Sequence, residues 1–552
     1  GIHLLYSDDN TPHPEQDAWV KTADFIKPRL QENNSTLVFV NARNTCEKIA
    51  LRINEDQPEL LAFSHHGSLA KDIRLAVEKR MKNGELKAII ATSSLELGID
   101  VGAIEEVILV NSPNSVASAA QRIGRAGHKI GAVSRATLIA TTPHQLIHSI
   151  PTIHAIKRQI LEPITPPVNC LDVLAQIILA LAVNASWDID KLFNFITSIW
   201  SYKDLDETQF RNTIDLLAGK HQNLNLYSLK ARLDYNPQKN TITTRKSDVF
   251  TIRRSSGTIP DRGLYKLRLS SDSSLVGELD EEFVWEAKVG DHFTLGTQAW
   301  TIDQITQDDV FVSPSESLAS VPFWKAEKCD KHYVLAKLSG ELLYKWNAAL
   351  ETKHQHELIK TLMQEQRLAI QDAYELDLYL RKQKQATGII PNRYNIVLET
   401  INSPDTSDCE MHLTAVVHAF LGGRVNKPLA IALRQIARTQ FELEPDMIVN
   451  DDGIWFTTEK PFPIGEIFSR LTPGNIKSLV VEGLQDTPLF AAHFREAAGR
   501  ALLIPKPLPG KRAPLWDTRK KAQILWEATG QLKEFPIRLE AWRTCLNDDF
   551  DL

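Results

Sequence analysis

Two arginines three residues apart, Arg122 and Arg125, lie in the segment QRIGRAGH at residues 121–128. Glycines stand on either side of Arg125, and an apolar stretch typical of a strand precedes the segment. In phosphoryl transfer, negative charge spreads over the equatorial oxygens of the transferred phosphate, and a fixed guanidinium stabilises that charge. Glycines allow the backbone to approach such a phosphate closely. Taken alone, a Gly-Arg turn of this kind is more often a helix entry whose arginines are solvated.

Three further polar segments precede this one, and each follows a strand-like apolar run. They are TLVFVNAR at 36–43, SHHGSL at 64–69 and ATSSLELGIDVG at 91–102. Between residues 35 and 150, short apolar strands alternate with helical patterns, which predicts a parallel sheet covered by helices on both faces. Because ligands bind at the carboxyl ends of parallel strands, we expect all four segments to lie at one edge of this sheet.

Side chains at that edge are suited to binding a nucleotide. The Thr-Ser-Ser run at 92–94 offers hydroxyl and amide donors to phosphates, and Asp100 can accept a hydrogen bond from a ribose hydroxyl. Each feature also has a simpler explanation, since Thr-Ser-Ser can cap a helix and His65 and His66 can be ordinary loop histidines. The occurrence of all four segments in this order favours a site.

The four segments resemble motifs IV, IVa, V and VI of superfamily 2 helicases, which lie in the second of two RecA-like lobes. The form GRAGH, followed by a predicted winged helix, resembles more specifically the Lhr (large helicase-related) family. Later stretches that resemble the Lhr core are GTIPDRGLY (257–265), GELDEEFVWEAKVGD (277–291), VPFWKAE (321–327), VHAFLGGRVNKPLA (417–430), FREAAGRALLIP from 494 and PGKRAPLW, ending at 516. The resemblance covers roughly residues 35–552.

This resemblance implies an ATP site in which Arg125 is the arginine finger of motif VI. Gln121 and Arg122 would be its catalytic neighbours at the nucleotide cleft. The residues implied to face ATP are Gly98, Asp100, Arg122, Arg125 and His128. His128 stands where many superfamily 2 helicases carry another arginine, and a neutral histidine would be a weaker finger. ATP and Mg²⁺ are the implied cofactors.

The resemblance also implies contacts with the backbone of a tracking nucleic-acid strand. The residues concerned are Asn41, Arg43, His65, His66, Gly67, Ser68, Thr92 and Ser93. Trp324, beside Lys325, is a candidate for stacking on a base, with a core position inside a small barrel as the open alternative. Basic clusters at 253–257 and 506–521 are either phosphate contacts or solvated faces.

ATP hydrolysis needs a P-loop, GxxxxGK[ST], and a carboxylate pair that positions Mg²⁺ and water. The chain contains neither Gly-Lys-Ser nor Gly-Lys-Thr. DEEF at 280–283 looks like a DExx box, but it follows motif VI in a β-rich region, so we interpret it as a structural loop. We therefore expect the first RecA-like lobe to be absent from this chain and these 552 residues alone to hydrolyse no ATP.

The fold class expected is multidomain α/β and α+β. The predicted domains are a second RecA-like lobe at 1–160, a winged helix at 161–256, a β-rich barrel-like module at 257–345, and an α+β nucleic-acid-binding domain at 346–552. Within the last of these, INSPDTSDCEMHLTAVV and IVNDDGIWFTT are typical of strands in mainly helical surroundings.

Composition narrows the class of protein further. The net charge is −6, so nucleic-acid binding must rely on local basic patches. Five scattered cysteines without a CxxC pair indicate neither a disulfide framework nor a zinc site, and we expect no metal-binding residues. No apolar run approaches the ~20 residues that span a bilayer, and the N-terminus does not resemble a signal peptide, so a cytoplasmic location is expected.

Two functions from different classes compete. The first is the motor portion of an Lhr-type ATP-dependent helicase that moves 3′ to 5′ on single-stranded DNA and unwinds a DNA duplex or an RNA–DNA hybrid, in partnership with a first RecA-like lobe. The second is a non-enzymatic nucleic-acid-binding module. A third, more remote hypothesis is a nuclease or glycosylase that uses the C-terminal region. No paired carboxylates or metal-ligand cluster in that region support it. Intact motifs V and VI favour the helicase.

Overall fold

The computed structural model describes most of the 552 residues. The described ranges are 1–5, 14–55, 57–97, 104–127, 134–220, 229–259, 264–279, 283–284, 287–295, 298–315, 330–404, 411–458, 460–504, 515–532 and 534–552. They form two compact units that alternate along the chain. The first comprises Gly1–Glu162, Leu264–Lys427 and Pro445–Gly465, and the second comprises Pro163–Gly263, Pro428–Glu444 and Glu466–Leu552.

A six-stranded parallel sheet forms the centre of the first unit. Its strands are β1 (Ile2–Leu4), β2 (Thr36–Phe39), β3 (Ala62–His65), β4 (Ala88–Ala91), β5 (Glu106–Val110) and β6 (Ala136–Ala140), in the spatial order β1-β6-β5-β2-β4-β3. The helices between them are α1 (Pro14–Glu32), α2 (Arg43–Asn54), α3 (Lys71–Lys82), α4 (Val116–Ile123) and α5 (Pro143–Lys157). The parallel α/β lobe predicted from the sequence is confirmed.

Continuous apolar strands build this sheet because both of its faces are covered. Leu37 and Phe39 of β2 belong to the hydrophobic cluster on one face, whereas Val38 and Val40 belong to the cluster on the other. This alternation follows from the two-residue period of a strand, which sends successive side chains to opposite faces. Burying both faces fixes where each strand ends, and those ends carry the candidate site.

A second sheet in the first unit has five strands. They are β10 (Tyr265–Leu269), β11 (Leu275–Leu279), β12 (His292–Leu295), β13 (Gln298–Ile305) and β14 (Asp309–Ser315), in the order β11-β10-β14-β13-β12. Leu267, Phe293 and Val310 lie in its core. Leu69, from the loop that follows β3, is part of the same core, so this β-rich module is anchored on the first sheet.

Helices and a four-stranded antiparallel sheet complete the first unit. The helices are α10 (Tyr333–Thr352), α11 (Gln355–Gln366) and α12 (Ile370–Thr387), and the strands are β15 (Val397–Pro404), β16 (Met411–His418), β17 (Asp446–Val449) and β18 (Gly453–Thr458), in the order β15-β16-β18-β17. The strands expected around 401–417 and 448–458 are thus confirmed, and the turn between β17 and β18 carries Asp451 and Asp452.

The second unit is mainly helical. Its elements are α6 (Leu171–Asn184), β7 (Trp187–Asp188), α7 (Ile189–Thr197), α8 (Glu207–Leu217), β8 (Leu233–Asn236), β9 (Thr241–Thr244), α9 (Val249–Ser255), most of α13 (Gly423–Phe441), α14 (Ile464–Ser469, from residue 466), α15 (Ile476–Leu484), α16 (Pro488–Arg500), α17 (Leu515–Ala528) and α18 (Pro536–Arg543), followed by a π-helical turn at Thr544–Asp549. Helices with the small antiparallel ribbon β7-β9-β8 form the winged-helix arrangement expected from the sequence. The four domain boundaries predicted above stay a prediction.

A buried ion pair lies at the centre of the second unit. Asp172 in the first turn of α6 accepts a hydrogen bond from Arg500 at the end of α16. The backbone N–H of Leu171 donates to the carboxylate of Glu540 at 2.8 Å. Because Asp172 and Glu540 are each 1% exposed, these partners provide the polar contacts that buried carboxylates require.

Candidate nucleotide and nucleic-acid site

The carboxyl edge of the parallel sheet brings together segments that are distant in sequence. β2, β3 and β4 all end at this edge. The backbone N–H of Thr92, which follows β4, donates to the carbonyl of His65 at 3.3 Å. Arg122 in the last turn of α4 reaches Asn41, which follows β2. The prediction that the polar segments share one edge agrees with this geometry.

Helix α4 carries Arg122 in its last turn, Arg125 follows just after the helix ends, and the first turn of the helix is firmly capped. The Ser115 hydroxyl accepts a hydrogen bond from the N–H of Ser118, and the Glu162 carboxylate accepts from the N–H groups of Val116 and Ala117 at 2.6 and 2.9 Å. Caps of this kind satisfy the exposed donors of a helix N-terminus, and a carboxylate there also pairs with the helix dipole. These caps fix the start of the helix that leads to Arg122.

Arg122 is buried and connects two strand ends. Its Nε donates to the Glu96 carboxylate at 3.2 Å, and its Nη1 donates to the Asn41 side-chain oxygen at 3.1 Å. The guanidinium lies 5.3 Å from the centre of the Phe39 ring, and the Asn41 amide donates onward to the Ser112 carbonyl at 2.8 Å. Because Arg122 is 7% exposed, it acts in this structure as a structural bridge between motifs.

Arg125 has a different environment from Arg122. It is half-buried, and its Nε and Nη2 donate to the backbone carbonyl of Glu96 at 3.1 and 2.6 Å. The following residues are tied to the lobe, because the Gly127 N–H donates to the Ile104 carbonyl and Gly127 has a φ of +77°. Only glycine adopts such a φ without cost, so the turn after Arg125 needs this residue. Gln121 is exposed beside them.

Arg43 lies at the start of α2 and points toward the loop after β3. Its Nη1 donates to the Ser68 hydroxyl at 2.6 Å. Thr92 is half-buried and Ser93 and Gly67 are exposed, whereas Ser68 is buried. A guanidinium, hydroxyls and an exposed glycine backbone thus lie on neighbouring loops, which is a set of groups suited to contacting a phosphate chain.

The His65 ring is buried and held on both sides. Its Nδ1 lies 2.8 Å from the Ser94 hydroxyl and its Nε2 lies 3.1 Å from the Glu78 carboxylate. Burial lowers the pKa of His65 to about 4, with the nearby Arg74 adding to the effect, and burial raises the pKa of Glu78. At neutral pH a neutral ring therefore links β3 to the loop after β4.

His66 is equally inaccessible. Its Nε2 lies 2.7 Å from the Glu47 carboxylate, which also accepts from the Ser64 hydroxyl at 2.9 Å, and both His66 and Glu47 are 0% exposed. The sequence predicted that His65 and His66 contact a nucleic acid. Their buried side chains hold the loop that carries Gly67 and Ser68, and the contact of this turn with a nucleic acid stays a prediction.

Backbone hydrogen bonds join strand β11 of the β-rich module to this same loop. The N–H of Glu278 donates to the Ser68 carbonyl, and the N–H of Ala70 donates to the Val276 carbonyl at 3.1 Å. Gly277 lies between them, where an added Cβ would be 2.6 Å from the Ser68 oxygen. The close approach of β11 to the loop depends on the absence of a side chain at Gly277.

Four predicted site residues lie outside the described part of the chain. They are Gly98, Asp100, His128 and Trp324. Their predicted roles stay predictions, and most of DEEF at 280–283 falls outside the described residues as well.

Three acidic residues that organise this edge were not predicted. The Glu96 carboxylate accepts a hydrogen bond from Arg122, the Glu47 carboxylate pairs with the His66 ring, and the Glu78 carboxylate contacts the His65 ring. For Glu47 the sequence does contain a signal, because α2 buries a stripe at Cys46, Ile49 and Ala50 and Glu47 lies within it. A charged residue on the apolar stripe of a helix indicates a buried partner.

Comparisons with known proteins agree with this arrangement. Residues 20–129 match the model of the helicase conserved C-terminal domain, residues 154–321 match the winged helix domain of large helicase-related proteins, and residues 390–552 match the DEAD/H-associated model. The sheet, the motif order and these matches define a helicase C-terminal region.

Similarity to individual proteins identifies the family. The chain is 34% identical to the Lhr helicase/uracil glycosylase of Escherichia coli over 99% of its own length and 37% of that protein. It is 29% identical to the ATP-dependent helicase Lhr-Core of Methanothermobacter thermautotrophicus, over 96% of the chain and 61% of the relative. A solved structure of Mycobacterium smegmatis helicase Lhr bound to ssDNA and AMP-PNP superposes with a TM-score of 0.78 at 31% identity, covering 100% of this chain and 66% of that one.

The chain therefore belongs to the Lhr (large helicase-related) family. It spans less than two thirds of the length of these relatives. Within the described residues, no helix is long and apolar enough to cross a membrane.

Proposed function

We propose that this chain supplies the second RecA-like lobe and the adjoining nucleic-acid-binding domains of an Lhr-type ATP-dependent helicase. The observation that carries the proposal is the Asn41–Arg122–Glu96–Arg125 arrangement. It joins motifs IV, V and VI at the edge of the sheet where nucleotides bind in parallel α/β folds. A module that only bound nucleic acid would have no use for this arrangement.

On the nucleotide side, Arg125 is the arginine finger and Arg122 positions it. Arg122 fixes Glu96 through its side chain, and the Glu96 carbonyl holds the Arg125 guanidinium. A hydrogen bond to a neutral carbonyl is weaker than one to an anionic phosphate, so Arg125 can exchange the carbonyl for a γ-phosphate when ATP is bound. Gln121, Gly98, Asp100 and His128 belong to the same proposed site.

The residues described at this edge do not themselves fit a Mg²⁺ site. Magnesium favours carboxylate and phosphate oxygens, and the Glu96 carboxylate is paired with Arg122. We therefore assign Mg²⁺, together with the P-loop, to the first RecA-like lobe and derive no step through it. Without such a lobe the 552 residues are expected to hydrolyse no ATP.

On the nucleic-acid side, Arg43, Ser68 and Thr92 form the proposed contact with the strand backbone. The buried rings of His65 and His66 hold the loop, and Asn41, Gly67, Ser93 and the proposed base-stacking Trp324 complete the set. The proposed activity is 3′ to 5′ movement on single-stranded DNA with unwinding of a DNA duplex or RNA–DNA hybrid. It is supported by the family and by the ssDNA bound to the M. smegmatis relative.

Binding of single-stranded DNA by the Arg43→Ala variant tests the nucleic-acid side. If Arg43 neutralises one phosphate, the variant should bind more weakly, and its plot of log affinity against log salt should lose about 0.7 in slope. Arg52→Ala is the control, because Arg52 is on the same helix and pairs with Glu55 at the surface. Equal affinity and equal slope for both variants would remove Arg43 from the contact.

A further inference from the structure

Two histidines and an aspartate converge in the first unit, and none of them belongs to the four polar segments described above. His144 and His148 lie one turn apart on α5, and Asp452 lies in the turn between β17 and β18. The His144 Nε2 is 2.8 Å from one carboxylate oxygen of Asp452, and the His148 Nε2 is 3.2 Å from the other. One ligand atom from each residue lies within 4.8 Å of the others.

The ring nitrogens and the Asp452 carboxylate are not arranged as a simple chain of hydrogen bonds. The His148 Nε2 and the facing Asp452 Oδ1 are both buried and 3.2 Å apart, but their alignment is poor for a hydrogen bond. Two buried lone-pair atoms that are this close, but are not aligned for a hydrogen bond, are placed to coordinate one ion between them. Ligand atoms about 2.0–2.1 Å from a tetrahedral Zn²⁺ are themselves about 3.3 Å apart, which is close to the observed separation.

The opposite side of the His148 ring is held as it is in metal-binding histidines. Its Nδ1 lies 3.0 Å from the Ser339 hydroxyl, and that hydroxyl donates to the Leu335 carbonyl. A hydroxyl that donates elsewhere accepts from the ring, so Nδ1 carries the proton and Nε2 presents its lone pair toward Asp452.

We propose that His144, His148 and Asp452 form a binding site for a divalent transition-metal ion, for which Zn²⁺ is the probe. Two imidazoles and one carboxylate suit Zn²⁺, and solvent can complete the coordination because the His144 side chain is 30% exposed. The ion would fix the β17–β18 turn on α5, beside the Asp451–Lys331 ion pair at 2.9 Å. The cysteine count gave no indication of this site, whereas the spacing of His144 and His148 places both rings on one face of a helix.

Zinc uptake by the metal-stripped 552-residue chain, measured against a chromogenic chelator, tests the proposal. The wild type should bind one equivalent of Zn²⁺ more than His144→Ala and Asp452→Asn, both of which change partly accessible residues. His418→Ala should match the wild type, because His418 forms a comparable pair with Glu399 without a second histidine. Equal uptake by the wild type and His144→Ala would overturn the proposal.

Two further variants remove ambiguity. His493, Cys545 and Asp549 form another group of potential ligands in the second unit, so His493→Ala shows how much of the uptake belongs there. Ser339→Ala should weaken binding at the proposed site about 10- to 100-fold without changing the number of ions bound. An affinity equal to that of the wild type would show that Ser339 does not orient a ligand and would contradict the assignment.

Discussion

The two arginines of one short motif occupy different environments, and this difference separates their roles. Arg122 is buried among Asn41, Glu96 and Phe39, whereas Arg125 is half-buried against a backbone carbonyl. The resemblance implied that Arg125 is the finger and Arg122 its neighbour at a nucleotide cleft, but the sequence did not predict that Arg122 is buried. Burial depends on which side chains meet across strand ends, and local spacing does not specify that.

Replacing the two arginines should therefore have unequal effects on stability. Arg122→Ala leaves the Glu96 carboxylate, 13% exposed, without its ion partner, so we expect a loss of about 3 kcal/mol in unfolding free energy. Arg125→Ala removes hydrogen bonds to a carbonyl and should cost about 1 kcal/mol. Urea unfolding followed by circular dichroism measures both. Equal losses would contradict the assigned difference in roles.

The buried His65 ring predicts a specific pH dependence of stability. Its pKa is about 4 in the folded chain and 6.5 in the unfolded chain, so the unfolded state gains a proton first as the pH falls. The stability contributed by the neutral ring is complete above pH 6.5 and is lost between pH 6.5 and 4, up to about 3 kcal/mol.

The His65→Gln variant serves as the test of this dependence. Its unfolding free energy should fall less steeply with acidification over the same interval than that of the wild type, as measured by urea titrations at a series of pH values. Identical pH profiles for the two proteins would show that His65 does not carry the effect.

At the scale of elements, the continuous apolar runs predicted the parallel sheet correctly. The three-residue strand β1 and the helix α1 were not predicted, because IHL is too short to show a period and Pro28, a residue that usually breaks a helix, lies inside α1. The pairing of β11 with the loop after β3 was also missed. It depends on backbone groups separated by about two hundred residues, and side-chain patterns carry no information about such contacts.

This pairing leads to a prediction for Gly277. In Gly277→Ala the new Cβ would meet the Ser68 oxygen at 2.6 Å, so the strand or the loop must shift, at a cost of about 1–3 kcal/mol. Gly67→Ala is the matched control in the same loop, since nothing lies within 4 Å of its Cβ position. Thermal unfolding should separate the two variants. A Gly277→Ala protein as stable as Gly67→Ala would contradict the close docking of β11.

For the whole molecule, the sequence motifs predicted the family correctly, and they led to the proposal of half of an ATPase site. The motifs did not predict Glu47, Glu78 and Glu96, which hold the predicted residues in place. The partner of an acidic side chain is set by the folded structure and cannot be identified from the sequence around it. Each of the two compact units is built from three separate segments of the chain. Local sequence patterns do not show which distant segments pack together, so this alternation was not predicted. The described residues at the carboxyl edge of the parallel sheet all lie in the first unit.

ATP turnover stimulated by single-stranded DNA tests the central claim most directly. It should be measured for these 552 residues alone and for the same residues joined to a P-loop lobe, with Arg125→Ala as the variant and Arg52→Ala as the control. We expect no turnover by the chain alone, turnover in the joined protein, and a loss of about 10³-fold or more in Arg125→Ala. Turnover by the chain alone, or an Arg125→Ala protein as active as Arg52→Ala, would contradict the central claim.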